Sequence, residues 1–145
     1  MKNKSSTILI ILSVLIVIGG MVLNFNEFLM GSPATIKNVI VTCAYILFWI
    51  LILIIGIKNK DSGVMKYCSI FWMLTLLTAL ITGYVNVTDA NIDFVIIFVI
   101  LLLGQWYGIK FIVGSFLTAS IIIAVISLIM FIISDTYYTH CDTII

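Results

Sequence analysis

Three stretches of this sequence, residues 7–23, 39–57 and 67–87, hold no charged side chain, and a fourth, residues 94–133, holds only Lys110. A helix crosses the hydrocarbon of a bilayer with about 20 mainly apolar residues. Backbone groups exposed to lipid find no water there, so each stretch must be helical to satisfy its own hydrogen bonds. Composition agrees: 63% of the 145 residues are hydrophobic and 9% are charged, whereas soluble domains carry about a quarter charged residues. The expected fold is therefore all-α, a polytopic transmembrane helical bundle forming a single integral membrane domain over residues 1–145.

The stretch 94–133 is too long for one crossing. A single helix of that length would run about 60 Å at 1.5 Å per residue, twice the hydrocarbon thickness of about 30 Å. Its middle reads Gly104-Gln105-Trp106-Tyr107-Gly108-Ile109-Lys110, with two glycines, a charge and two aromatics of the kind that favour the headgroup level. A break there gives spans over 94–107 and 111–133, hence five spans in all. The competing arrangement is four spans with a re-entrant segment in place of the short one.

With five spans and the N-terminus inside, Lys2, Lys4, Lys58, Lys60, Lys66 and Lys110 are cytoplasmic and only Lys37 is outside. Cytoplasmic loops are enriched in basic residues, so the sequence predicts a plasma-membrane protein with a cytoplasmic N-terminus and an extracellular C-terminus. The first run has no A-x-A-like cleavage site and reads as a retained helix rather than a signal peptide. The absence of Arg and the heavy use of Ile match an AT-rich genome, which points to a bacterium.

Candidate chemistry is sparse. Ionisable residues within spans usually mark ion paths or catalysis, and the five expected spans contain none. Intramembrane aspartyl, metallo- and serine-type hydrolases each need carboxylates or histidines that these spans lack. Cys43, Cys68 and Cys141 show no metal-ligand spacing, and the sole histidine, His140, stands beside Cys141 and Asp142 in what reads as a polar tail. No cofactor, metal or enzymatic activity is expected. The net charge of +1 offers no basic patch for nucleic acid.

What the spans do carry is small and weakly polar side chains on defined faces. Thr75, Thr78, Ala79, Thr82, Gly83 and Asn86 fall on one side of the third span, a candidate helix-packing face. Ser6, Ser13, Gly20 and Asn24 form a narrow stripe on the first, and Ser120, Ala124, Ser127 and Ser134 another near the C-terminus. Gly104 and Gly108 are spaced as GxxxG. Such faces let helices approach closely in lipid. They predict a non-enzymatic accessory, regulatory or immunity-type protein that works through helix–helix contacts, with the bilayer, another membrane protein or a second copy as partner. The alternative is a small transporter or channel-like subunit for an uncharged or lipidic solute. The two differ in whether the Thr75–Asn86 face lines an aqueous cavity or packs dry.

Overall fold

A computed structural model describes residues 2–88 and 93–142 of the chain. These residues form helices and tight turns, with no strand among them. Four helices are long and apolar enough to cross a membrane: α1 (Lys2–Leu29), α2 (Ile36–Lys58), α3 (Ser62–Thr88) and α6 (Phe116–Asp142). Between α3 and α6 lie a 3-10 turn (Asp93–Val95), α4 (Ile96–Leu103), a second 3-10 turn (Gly104–Trp106) and the short α5 (Gly108–Val113). The chain is an all-α helical membrane bundle.

Local chemistry sets the helix ends. α1 runs past the expected span end at 23 to Leu29, because no helix breaker intervenes before Gly31, which adopts a positive φ of 62°. Tight backbone bonds, including the Asp61 N–H to the Gly56 carbonyl at 3.0 Å, reverse the chain between α2 and α3. Asp61 Oδ1 then accepts the Val64 N–H at 3.2 Å and caps α3. Gly114, at φ 71°, turns α5 into α6 where a Cβ would strain the left-handed backbone.

Contacts between elements fix the directions of the helices. Ser6 near the start of α1 donates to Asp61 in the α2–α3 turn. At the opposite end, Lys37 and Glu27 form an ion pair at 2.5 Å that ties the end of α1 to the start of α2. α6 packs along α3 in antiparallel fashion. The Gly83 backbone faces Ser120 near one end, while Ser69 donates to Asp135 at 3.2 Å and the Lys66 ammonium lies over the Tyr138 ring near the other. The C-terminal end of α6 therefore shares one end of the bundle with the start of α1 and the α2–α3 turn.

This geometry decides what residues 94–133 do. The stretch breaks at the glycine-flanked aromatic segment, as expected from sequence, but α4 and α5 do not carry the chain across. α4 enters from the end where α3 stops, reverses at Gly104–Trp106 against the later part of α1 and the start of α2, and α5 returns to the same end. Four long helices surround a re-entrant hairpin. Two expectations change with it. The described ends of the chain lie on one side rather than on opposite sides, and Lys110 lies at the end away from Lys58, Lys60 and Lys66 rather than with them. Hydropathy shows that a helix is interrupted, not which way the chain leaves the interruption.

Candidate functional site

The hairpin tip is the most unusual part of the protein. Residues Leu102 to Ile109 are all buried, though the backbone there leaves α-helical hydrogen bonding. Irregular backbone at membrane depth is tolerated only where protein covers it. Here side chains of α1 and α2 supply the missing partners. Asn24 Nδ2 donates to the Gly104 carbonyl at 3.1 Å and to the Gln105 carbonyl at 3.3 Å. Thr42 Oγ1 donates to the Gln105 carbonyl at 2.8 Å and accepts the Gly108 N–H at 3.1 Å.

Asn38 locks the clamp. Its Nδ2 donates to Asn24 Oδ1 at 3.0 Å, and its Oδ1 accepts the Thr35 N–H at 2.7 Å at the start of α2. Asn24 and Asn38 are completely buried, a costly location for an amide unless its hydrogen bonds are made. Tyr107 OH reaches the Ser32 carbonyl and fastens the hairpin to the α1–α2 loop. Glycine provides the close fit. A Cβ on Gly20 would stand 2.8 Å from Gln105 Cβ, and one on Gly108 would stand 2.3 Å from the Asn38 carbonyl oxygen.

Beneath the tip lies an aromatic cluster. Trp49 stacks on Phe71 with ring centroids 4.3 Å apart and meets Trp72 edge-on at 5.1 Å. Trp106 packs edge-on against Tyr45 at 5.3 Å and Trp72 at 6.1 Å. Aromatic pairs in such arrangements add about 0.5–1.5 kcal/mol beyond area burial. Trp106, expected at an interface, is in the core. The spacings Tyr45/Trp49 and Tyr67/Phe71, four residues apart in each case, were the sequence signal for this cluster.

The face expected on the third span divides along its length. Thr75, Thr78 and Ala79 are buried within the bundle, Thr82 and Gly83 are half-buried, and Asn86 is exposed. Thr75, Thr78 and Thr82 donate to the carbonyls of Phe71, Leu74 and Thr78 at 2.8–2.9 Å, so their hydroxyls serve their own helix. Asn86 Nδ2 does the same to the Thr82 carbonyl. The first-span stripe acts differently. Ser6 reaches Asp61, Ser13 donates to Tyr67 OH at 2.9 Å, Gly20 seats Gln105, and Asn24 holds the hairpin. Ser120, Ala124, Ser127 and Ser134 are buried on α6.

Thr82 also borders a half-open cavity of about 250 Å³ enclosed by α3, the hairpin and the start of α6. Since its hydroxyl is already bonded at 2.8 Å, Thr82→Leu extends apolar volume into open space. It should shift stability by less than about 1 kcal/mol, read as a small change in melting temperature in detergent.

Among the described residues no three His, Cys, Asp or Glu side chains converge as a metal site. Cys43 and Cys68 are free thiols, and Cys141 and Asp142 belong to the last turn of α6, with side chains that are not among those described. The fold and site together define a four-helix membrane bundle built around a clamped re-entrant hairpin. The chain matches no protein-family model, no curated protein and no solved structure.

Proposed function

We propose that this chain is a non-enzymatic accessory or regulatory membrane protein, of the kind that includes immunity proteins, acting through contacts between its helices and another membrane protein. The observation that supports the reading is the disposition of polar groups inside the bundle. Asn24, Asn38 and Thr42 hold the hairpin, and the hydroxyls of Thr75, Thr78 and Ser134 return to their own helices. A bundle in which these groups are committed to holding its own fold is suited to present a fixed outer surface to a partner.

The positive-inside rule orients it. The end bearing Lys2, Lys4, Lys58, Lys60 and Lys66 is the cytoplasmic one in this proposal, so both described ends of the chain face the cytoplasm of a bacterial cell. The alternative, handling of a lipidic solute, draws on the apolar cavity beside Thr82.

Brief crosslinking in the native host, followed by affinity purification in gentle detergent, tests the proposal. A stoichiometric membrane partner, together with no solute flux when the purified chain is placed in vesicles, is the expected result. Recovery of the chain alone, with flux of a lipidic tracer, favours the alternative.

A further inference from the structure

The cavity beside Thr82 combines an apolar interior with one charge at its edge. Val99, Leu103, Trp106 and Ile123 contribute walls. Its three hydroxyl groups are committed elsewhere: Thr82 donates to the Thr78 carbonyl and Ser120 to the Phe116 carbonyl, each at 2.8 Å, and Tyr107 donates to the Ser32 carbonyl. Apart from Lys110 and the buried, unpartnered Trp106 N–H, little hydrogen-bonding capacity belongs to the lining. Dry apolar cavities of about 150 Å³ take up small hydrocarbons. At about 250 Å³ this one has room for a longer hydrocarbon segment.

Lys110 also lines the cavity. Its ammonium sits 3.7 Å from the centroid of the Phe116 ring and 3.3 Å from Tyr107 OH. Among the described residues Lys110 is paired with no carboxylate; the ion pair Lys37–Glu27 takes up the nearest acid on α1 instead. An ammonium beside aromatic rings and hydrocarbon gains most from an anion that arrives with an apolar tail. The cavity is half-open and lies between α3 and α6, both long enough to cross the membrane. Lys110 stands close to the Gly114 turn at the helix ends, the level at which headgroups lie.

We propose that the cavity binds one acyl chain of an anionic phospholipid, with the lipid phosphate against Lys110. The inference goes beyond the docking function and does not depend on it.

The tryptophans report on occupancy. Trp49 and Trp72 are 0% exposed and Trp106 is 1% exposed, so lipid that merely surrounds the bundle is shielded from the indoles, whereas a chain in the cavity touches Trp106. The full chain is reconstituted in phosphatidylcholine vesicles containing an equal minor fraction of either phosphatidylglycerol or phosphatidylcholine with dibrominated acyl chains, which quench indole fluorescence on contact. Brominated phosphatidylglycerol should quench several-fold more strongly than brominated phosphatidylcholine. Lys110→Gln should bring the two lipids to equality, and Ala119→Leu, which fills the cavity, should remove most quenching by both. Equal quenching by the two lipids in the unmodified protein overturns the proposal, as does a preference that survives either substitution in folded protein. If one variant fails to fold, the other decides.

Discussion

Gly108→Ala should abolish the stable fold. The added Cβ would lie 2.3 Å from the Asn38 carbonyl oxygen and 2.6 Å from both Asn38 C and Val39 Cα. All three are backbone atoms at the start of α2, where rotation of a side chain cannot relieve the clash. Moving α5 away instead would break the Gly108 N–H bond to Thr42 and expose irregular backbone at membrane depth. Ordinary overpacking costs about 1–3 kcal/mol; with no flexible neighbour the expected cost is about 3 kcal/mol or more. Little monodisperse protein should survive gel filtration in mild detergent. Gly19→Ala is the matched control, because its Cβ meets nothing within 4 Å. It should be neutral, or stabilising by up to about 1 kcal/mol through helix propensity. Equal melting temperatures for the two variants would show that the hairpin does not seat on α2 as described.

Asn24→Leu should be the most damaging change among the buried polar side chains. Leucine fills a similar space but leaves the Asn38 amide without its partner, and leaves the Gly104 carbonyl with the Tyr107 N–H alone and the Gln105 carbonyl with Thr42 alone. Interhelical side-chain hydrogen bonds in membrane proteins average about 0.6 kcal/mol, because the separated helices find other partners. The completely buried Asn38 amide has no such substitute, and a stranded group costs about 1–3 kcal/mol. A loss of about 2–3 kcal/mol is expected, seen as a marked fall in melting temperature. Ser13→Ala, which removes one interhelical bond to Tyr67 and a bond to the Ile10 carbonyl of its own helix, should cost only about 0.6 kcal/mol. Similar losses for the two would mean that Asn24 is an ordinary interhelical contact.

Much of this arrangement is legible in the sequence. Charge-free runs specify the long helices, and the glycines at 104 and 108 mark the interruption. The stripe Ser6, Ser13, Gly20 and Asn24 follows helical spacing, and every member contacts another part of the fold. The direction of the hairpin is harder to read. With five crossings, six of seven lysines fall on the cytoplasmic side, and with a re-entrant hairpin five do; Lys110 alone separates the two arrangements. The clamp is hidden for a different reason. Asn24 and Gly104 lie 80 residues apart and Thr42 and Gln105 lie 63 apart, and no local period links them. The threonine face of α3 is visible as a face, but spacing does not reveal that its hydroxyls bond to their own helix.

The central claim is that residues 94–113 turn back rather than cross, which makes the number of crossings even. The direct test places an identical short epitope at each end of the full chain and compares protease access in intact and permeabilised cells. Both epitopes should be protected in intact cells and cleaved together after permeabilisation. One epitope cleaved and the other protected in intact cells would require an odd number of crossings, and the re-entrant hairpin would be contradicted.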